Sequence, residues 1–444
     1  MGEDASDIWA GTFHSVCGKL LRINAEKIGY SSHFTIYDTD DQRRLMKQII
    51  KAHEIDEKFL PPKRVLSAIS DAKEKLISPA EYKAQAGDDL RLKTVAELYR
   101  IYQKRLMEAD AMDFDDMIFN TVRLLQTDSD ALSYCAGKFR YVMVDEYQDT
   151  NHAQYELVRL LSSGENNICV VGDDDQSIYR FRGATIENIL NFEDEYGNAR
   201  VIRLEQNYRS TSNILDAANA VIKNNRGRKG KTLWTDNGTG EKISVFTADD
   251  ERGEARYIAD RILENVKNGA KFSDHAVLYR MNAQSGSVEN VFARSGIAYR
   301  VIGGLRFFDR KEIKDVIAYL QLVNNNNDDL RLRRIINEPK RGIGETTMSN
   351  AAQIAAELGI SLFEVIKRAD EFAALSRAAV RLRSFCDIID ELTEMSADIS
   401  VSELLAEILE KTGYRQYLTE SGEEPEKQEE RLQNVAEFAS TIAQ

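Results

Sequence analysis

The sequence predicts an α/β protein whose parallel sheet carries polar side chains at the ends of its strands. Two short apolar runs, Tyr141–Val144 and Ile168–Val171, each end abruptly in acidic residues, glycine or glutamine. Between them, Ala153–Leu161 places apolar residues at helical spacing, so the order is strand, helix, strand. A third apolar run, Val201–Leu204, ends in a further polar group. Because ligands bind beyond the carboxyl ends of strands in open α/β sheets, we expect one crevice there.

The residues after the first two strands have the chemistry that phosphoryl transfer needs. Asp145 and Glu146 follow the first strand, and Asp173 and Gln176 follow the second. One carboxylate of an adjacent pair can hold Mg²⁺, usually through water, while the other polarises an attacking water. Gln176 can donate a hydrogen bond to a terminal phosphate. Acids after a strand also cap the next helix, but three polar strand ends in succession favour a site.

Length and composition indicate a multidomain protein without a membrane span. A chain of 444 residues is too long for one core, so two to four domains are expected. No run of about 18 apolar residues occurs, and residues 1–11 lack the features of a signal peptide. The four scattered cysteines, with Cys169 in a strand predicted to be buried, indicate reduced core thiols of a cytoplasmic protein. The net charge of −14 argues mildly against nucleic acid, although a binding channel needs only a local basic lining.

Four stretches resemble, in order and spacing, motifs of the UvrD/Rep/PcrA-type superfamily-one DNA helicases. VDEYQDTN (144–151), VVGDDDQSIYRFRGA (170–184) and LEQNYRST (204–211) resemble the second, third and fourth motifs of that family. TFHS (12–15) is similar to an earlier motif that contacts DNA. Together these stretches are highly specific, whereas none of them would be so alone.

The resemblance covers nearly the whole chain and implies its domain organisation. AVLYRMNAQS (276–285) and GGLRFFDRKEIKD (303–315) are similar to parts of the family's second motor lobe. The implied fold class is α/β, with two RecA-like parallel-sheet lobes, both incomplete here, and helical insertions. The expected divisions are part of the first lobe at 1–30, its insertion at 31–130, the rest of that lobe at 131–206, part of the second lobe at 207–315, and its insertion at 316–444. The strand candidates of the second lobe are Ile243–Thr247, Ala276–Tyr279 and Tyr299–Ile302.

The resemblance assigns roles in ATP hydrolysis to residues at the strand ends. Asp145 is expected to hold Mg²⁺ and Glu146 to activate water. Gln176 and Arg209 are expected to contact the γ-phosphate, and Tyr208 to stack on adenine. Arginine suits this contact because its planar fork holds two phosphate oxygens and keeps its charge. From the residues alone, Arg209 is a surface arginine just before a helix.

The resemblance also implies contacts with single-stranded DNA and with a duplex junction. From the residues alone, Thr12 is a helix cap and His14 a surface or core histidine. Aromatic residues beside arginine suit base stacking, worth about 1–3 kcal/mol per base, although core packing is the alternative. The turn NEPKRGIGETTMS (337–349) can offer N–H groups to a phosphate, and a plain helix connector explains it nearly as well. The expected DNA-contacting residues are Thr12, Phe13, His14, Tyr179, Phe181, Arg182, Lys340, Arg341, Gly342 and Gly344.

Two charged stretches are interpreted as structural rather than catalytic. In MDFDDMI (112–118), Phe114, Met117 and Ile118 fall on one helix face, which favours a capped helix over a metal site. RGRKGKT (226–232) imitates a phosphate-binding loop but has two residues between its glycines, where a true one has four. We interpret it as a basic loop.

The expected function is ATP-driven movement on single-stranded DNA, from 3′ to 5′, by a monomer or weak dimer. The sequence contains no G-x-x-x-x-G-K-[ST] phosphate cradle. The family carries that motif before TFHS and two further motifs after the present end, so the chain is expected to be an internal piece that does not hydrolyse ATP alone. Two alternatives stay open: a non-catalytic DNA-binding module, and part of a helicase–nuclease subunit.

Overall fold

Helices dominate the structure, a computed structural model that describes residues 7–180, 183–225, 227–281, 284–302, 310–419 and 425–442. The described residues fall into two units, one within 1–201 and 311–444 and the other within 202–310. No helix among them has the length and apolar character needed to cross a membrane. The helices before residue 201 are α1 (Phe13–Asn24), α2 (Thr39–Ala52), α3 (Pro62–Glu74), α4 (Pro79–Gln85), α5 (Leu90–Glu108), α6 (Phe114–Thr127), α7 (Ser129–Lys138), α8 (His152–Leu161), α9 (Glu187–Leu190) and α10 (Phe192–Glu195).

The segment predicted as a helical insertion is helical but also contains a small sheet that the sequence analysis missed. Strand β1 (Thr35–Tyr37) pairs in parallel with β2 (Ala111–Asp113). Strands of three residues are too short to show an alternating pattern, so periodicity could not find them. Pro62 and Pro79 occupy the first turns of α3 and α4, where a missing N–H group does no harm.

Two apolar cores support this part of the chain. The first joins α1, α6 and α8 through residues such as Leu21, Val122 and Leu157. The second joins α2, α3 and α5 through residues such as Ile50 and Val65. The second core includes Leu330, from the helical part of the chain that begins at Lys311.

The predicted strand–helix–strand unit is confirmed. Strand β3 (Val142–Val144) pairs in parallel with β4 (Ile168–Val170), and α8 connects them. Asn151 begins α8, because its side chain accepts a hydrogen bond from Gln154 N at 3.0 Å. The side chain of Gln154 accepts in return from Asn151 N, which completes a capping box.

One face of the β3–β4 sheet is covered and the other is open. Val144 packs in a cluster with Tyr147 and Val158, while Met143 between the inward-facing residues is 77% exposed. Cys169 lies on the same open face and is exposed. The prediction that Cys169 lies in a buried strand is therefore wrong, because side chains alternate and the described residues cover only one face. The other three cysteines are buried free thiols, as expected.

The part of the first unit after residue 311 consists of helices. They are α14 (Lys311–Asn324), α15 (Asp329–Ile335), α16 (Glu345–Leu358), α17 (Leu362–Lys367), α18 (Ala379–Met395), α19 (Val401–Lys411), α20 (Tyr414–Thr419) and α21 (Pro425–Ile442). The side chains of Tyr319, Leu382 and Ile408 are fully buried in this region. The assignment of 316–444 as a helical insertion of the second lobe stays a prediction.

The second unit differs from the predicted parallel sheet. Its described helices are α11 (Ser212–Ile222), α12 (Glu251–Lys267) and α13 (Ser285–Arg294), and Gln206 and Trp234 form an isolated parallel bridge. Three segments predicted as strands of the second lobe are not strands among the described residues: Ile243–Thr247, Ala276–Tyr279 and Tyr299–Ile302. Val201–Leu204, predicted as the third strand of the first lobe, is not a strand either. Val245, Leu278 and Ile302 are at least 88% exposed. An extended segment becomes a strand only beside a hydrogen-bonded neighbour, and these described segments have none. A second RecA-like sheet stays a prediction.

Candidate functional site

The carboxyl end of β3 presents two adjacent acidic side chains to solvent. Asp145 and Glu146 are both exposed, as the prediction of a strand-end site requires. The Asp145 Oδ1 atom accepts a hydrogen bond from Glu146 N at 2.9 Å. Glu146 has a φ of 52°, in the left-handed region that residues with a Cβ atom rarely adopt. Such backbone strain costs about 1–3 kcal/mol and clusters at functional sites.

A buried glutamine that the sequence analysis did not select joins Glu146 to the end of β4. Gln148 is 1% exposed. Its Nε2 atom donates to Glu146 Oε2 at 2.8 Å, and its Oε1 atom accepts from Asp173 N at 2.9 Å. The sequence signal that could have found it is its position, since Gln148 lies two residues after Glu146 within the stretch 144–151.

The turn after β4 is organised by the carboxylate of Asp173. Its Oδ1 atom accepts from Asp175 N at 2.9 Å, and its Oδ2 atom accepts from Gln176 Nε2 at 2.7 Å. Hydrogen bonds therefore bring Glu146, Asp173 and Gln176 together, as predicted from their strand-end positions. The amide of Gln176 has a second hydrogen, which is suited to a phosphate oxygen.

The segment expected to contact single-stranded DNA is only partly described. Phe181 and Arg182 lie outside the described residues, so their contacts stay predictions. Tyr179 is 39% exposed. The chain just beyond is tied to the motif around Glu146, because Thr185 N donates to Thr150 O at 2.9 Å.

A glutamate from the helical insertion also reaches this segment. The carboxylate of Glu74, at the end of α3, occupies the space beside the Cα atom of Gly183, where a Cβ atom would overlap it. Gly183 has a φ of 79°, a conformation that favours glycine. Burial, with the nearby carboxylates of Asp115 and Asp71, raises the pKa of Glu74 to about 7. The sequence analysis missed Glu74 because it lies far from Gly183 along the chain.

At the start of α1, the structure confirms the helix cap. Thr12 Oγ1 accepts from Ser15 N at 3.3 Å. Thr12 is exposed, and the His14 ring lies edge-on to Phe114 with centroids 5.6 Å apart. Burial lowers the pKa of His14, which favours the neutral ring. Phe13 instead packs against the apolar cores, which gives it a structural role beside the expected DNA contact.

The turn before α16 exposes its backbone and a lysine to solvent, while the side chain of Arg341 points into the protein. Lys340 is exposed, and Gly344 begins α16 without a side-chain cap. The Arg341 guanidinium points inward, where Nη1 donates to Ile335 O at 3.0 Å and Nη2 to Tyr319 Oη at 2.8 Å. These donors hold the turn, and a phosphate contact by the Arg341 side chain stays a prediction.

An arginine that the sequence analysis missed lies beside the same turn. Gly342 has a φ of 68°, and a Cβ atom there would lie 2.7 Å from Arg381 Nη1. Arg381 is exposed on α18. It places a further cation beside the turn, and only the folded chain brings it there.

In the second unit, the residues expected to bind nucleotide are exposed. Tyr208 is 78% exposed, and its hydroxyl donates to Gln206 Oε1 at 2.8 Å. Arg209 is exposed, and its N–H group donates to Asn207 Oδ1 at 2.9 Å. The described residues 227–232 contain no helix or strand, in agreement with their interpretation as a basic loop.

Comparison with known proteins matches both halves of the chain to one family. The UvrD/REP helicase N-terminal domain matches residues 1–197, and the UvrD-like helicase C-terminal domain matches residues 202–444. The chain is 46% identical over 441 residues to the ATP-dependent DNA helicase PcrA of Bacillus subtilis, covering 99% of the chain and 59% of that protein. It is 44% identical over 440 residues to the proteins of the same name from Staphylococcus epidermidis and Staphylococcus aureus, covering 99% of the chain and 60% of each. The chain thus spans about three-fifths of the length of these relatives, and it belongs to the UvrD/REP helicase family.

Proposed function

We propose that the protein carrying this chain hydrolyses ATP to move along single-stranded DNA and to unwind duplexes. The observation that carries the proposal is the hydrogen-bonded group at the ends of β3 and β4, which joins Glu146, Asp173 and Gln176. The relatives named as ATP-dependent DNA helicases support it. Carboxylates and an amide at adjacent strand ends suit phosphoryl transfer, in which the protein mainly positions groups and stabilises charge.

In this proposal, Glu146 accepts a proton from the attacking water. Its carboxylate is exposed and held by the Gln148 amide, so it can face a substrate in solution. Asp145 would hold Mg²⁺, and its chemistry fits, since an exposed carboxylate completed by waters and substrate phosphates is the usual magnesium site. When bound, the ion neutralises phosphate charge.

The nucleotide contacts are proposed for three further side chains. Gln176 would donate to the γ-phosphate with the second hydrogen of its amide. Arg209 would pair with a phosphate group of the nucleotide, and Tyr208 would stack on the adenine ring. The exposure of Tyr208 and Arg209 supports these roles.

The DNA contacts are proposed at two places in the first unit. Thr12, His14, Tyr179, Phe181 and Arg182 would contact single-stranded DNA, with the aromatic rings stacking on bases. The turn before α16 would bind duplex phosphate, because its helix start is uncapped and cations stand beside it. Its contacts would be Lys340, Arg381 and the N–H groups of Gly342 and Gly344.

Strand displacement from tailed duplexes tests the proposal. The complete protein carrying this chain should displace the strand from a duplex with a 3′ tail when ATP and Mg²⁺ are present. A duplex with a 5′ tail should be displaced much more slowly. Glu146→Gln should abolish displacement, while Glu165→Gln, an exposed acid at the opposite end of the β3–β4 sheet, should not. Displacement that does not require ATP would overturn the proposal.

For the 444-residue chain by itself, a second function has a specific observation in its favour. The sequence contains no G-x-x-x-x-G-K-[ST] phosphate cradle, so alone it would act as a DNA-binding module without ATP turnover. Binding of single-stranded DNA that weakens with salt and ignores nucleotide would support this. DNA-stimulated ATP hydrolysis by the isolated chain would exclude it.

A further inference from the structure

The Gln148 amide lies between two residues of the proposed hydrolysis site and is hydrogen-bonded to them at both ends. Its Nε2 atom donates to Glu146 Oε2 at 2.8 Å, and its Oε1 atom accepts from Asp173 N at 2.9 Å. The main-chain oxygen of Gln148 also accepts from Ser177 Oγ at 3.3 Å. With 1% of its surface exposed, Gln148 has exchanged water for these partners.

The backbone around Gln148 is shaped to admit its side chain. A Cβ atom on Gly172 would lie 2.6 Å from Gln148 Oε1 and 2.7 Å from Ile189 Cδ1. Neither neighbour is the free end of a flexible exposed side chain, so any residue other than glycine would displace the amide. Gly172 directly precedes Asp173, and this keeps Asp173 N within reach of Gln148.

These contacts extend an unbroken series of hydrogen bonds from Gln176 to Glu146. Gln176 Nε2 donates to Asp173 Oδ2 at 2.7 Å, Asp173 N donates to Gln148 Oε1, and Gln148 Nε2 donates to Glu146 Oε2. The first member is the proposed contact to the γ-phosphate, and the last is the proposed base. A movement at either end changes the geometry at the other through two intervening residues.

We propose that Gln148 is a positioning residue, which holds the Glu146 carboxylate toward the attacking water and couples it to the γ-phosphate contact of Gln176. This inference rests on the ATP hydrolysis proposed above. Gln148 itself does not touch the nucleotide. When the γ-phosphate leaves, Gln176 loses a partner, and the change passes through Asp173 and the Gln148 amide to Glu146.

The chemistry of the position explains the choice of glutamine. An amide offers a donor and an acceptor at a fixed separation, and it does so at every working pH. A carboxylate at the same place would accept from Asp173 N but repel Glu146. A leucine of similar size would fill the space while leaving Asp173 N and Glu146 Oε2 without their partner.

The first test compares Gln148→Leu with wild type in the complete protein carrying this chain. We expect kcat for DNA-stimulated ATP hydrolysis to fall by about 100-fold, because a misplaced base loses orientation. The KM for ATP should stay close to wild type, since Gln148 makes no nucleotide contact. Gln154→Ala, which breaks the nearby cap of α8 outside the hydrogen-bond series, should leave kcat close to wild type.

The second test uses Gln148→Glu and pH, and it keeps the inference testable if Gln148→Leu does not fold. The introduced carboxyl group can donate to Glu146 only when it is protonated. The ratio of kcat for this variant to kcat for wild type should therefore rise as the pH falls from about 8 to about 6. A merely structural role would leave that ratio constant, and a constant ratio would overturn the proposal.

The outcomes separate this inference from the proposed function. If wild type hydrolyses ATP, Glu146→Gln abolishes hydrolysis and Gln148→Leu keeps the wild-type kcat, the role of Gln148 is wrong and the proposed function stands. If neither wild type nor the variants hydrolyse ATP, both fail together. A loss of kcat with Gln148→Leu that Gln154→Ala does not share supports the series of hydrogen bonds.

Discussion

Lys73 carries a positive charge in the interior of the first unit, between two carboxylates. Its Nζ atom lies 2.7 Å from Asp113 Oδ2 and 2.9 Å from Asp116 Oδ1, and the three side chains are at most 3% exposed. The Tyr102 hydroxyl donates to Asp113 Oδ2 at 3.0 Å. A buried charge is tolerated only when it is paired and hydrogen-bonded, and this cluster meets both conditions.

Replacing Lys73 with methionine should destabilise the protein strongly. Two buried carboxylates would face each other without their cation, and removing one partner of a buried pair typically costs about 3–5 kcal/mol. The free energy of unfolding of the 444-residue chain, measured with urea, should fall by that amount. Lys93→Met removes an exposed pair with Asp88 and should change it by less than about 0.5 kcal/mol. Equal effects of the two changes would contradict the account.

The same cluster predicts a pH dependence. Burial, followed by the nearby carboxylate of Asp113, raises the pKa of Asp116 to about 7 from an ordinary value of 3.8. Between these values the folded state holds a proton that the unfolded state has lost, so stability falls as the pH rises. The contribution is at most about 1.4 kcal/mol per pH unit.

Asp116→Asn should therefore flatten the dependence of unfolding free energy on pH between about pH 5 and 7. The amide stays neutral at each pH, and Lys73 keeps Asp113 as its partner. Urea unfolding at several pH values measures this slope. A variant slope as steep as that of wild type would show that Asp116 does not titrate there.

For these individual residues, the sequence predicted that the acids of 112–118 cap a helix, but it did not predict that Lys73 pairs with them. MDFDDMI was interpreted as a capped helix, and Asp113 does cap α6 by accepting from Asp116 N at 2.8 Å. The lysine that neutralises the cluster lies 40 residues before Asp113. Helical periodicity reports only neighbours along one element, so it could not reveal this contact. Gln148 and Arg381 were missed for a related reason, since tertiary contacts define their roles.

Among the elements, α15 joins distant parts of the chain by buried ion pairs. Arg331 Nη1 donates to Asp41 Oδ1 at 2.7 Å, and Nη2 pairs with Asp41 Oδ2. The Tyr37 hydroxyl donates to Asp328 Oδ1 at 2.7 Å. Both contacts link the start of α2 and the end of β1 to the helix after residue 328. A planar guanidinium that meets a carboxylate in two places fixes both position and orientation.

A double-mutant cycle should show strong coupling between Asp41 and Arg331. Asp41→Asn and Arg331→Met should each lower the free energy of unfolding by about 3 kcal/mol or more, because each removes one partner of a buried ion pair. The double variant should lose less than the sum, since it removes both charges. Additive effects in urea unfolding would mean that the two side chains do not interact in solution.

The uncapped start of α16 is a second element with a proposed role, the binding of duplex phosphate. Substitutions beside it should therefore change duplex binding. Lys340→Glu and Arg381→Glu should each weaken binding to tailed duplex and reduce the salt dependence by about one phosphate contact. Arg383→Glu changes the same charge on α18 but breaks only a surface pair with Asp370, so it should leave binding nearly unchanged. Equal weakening by all three would indicate a general effect of charge.

Elements with a strong local signal were predicted well, and those that depend on neighbours were not. The apolar spacing of Ala153–Leu161 predicted a helix, and α8 spans His152–Leu161. The pair β1 and β2 was missed, while segments such as Ile243–Thr247 were predicted as strands and are not strands. An apolar run records the tendency to be extended, whereas a strand also needs a hydrogen-bonded partner, which no single segment encodes.

For the whole molecule, the motifs taken together and in their order along the chain predicted the family, which no single element did. The family assignment followed from stretches such as 144–151, 170–184 and 204–211, and the matches to both family domains confirm it. The strand-end group was predicted in composition and position, and the structure joins its members by hydrogen bonds. The chain spans about three-fifths of its relatives, so the activity of the whole protein is a proposal that rests on this site.

The central claim is that the acids at the end of β3 hydrolyse ATP, and hydrolysis by the complete protein carrying this chain tests it most directly. Rates would be measured with and without single-stranded DNA for wild type, Glu146→Gln and Glu165→Gln. We expect DNA to stimulate wild type, Glu146→Gln to lose about 10²–10⁴-fold in kcat, and Glu165→Gln to match wild type. DNA-stimulated hydrolysis by Glu146→Gln at the wild-type rate would contradict the account.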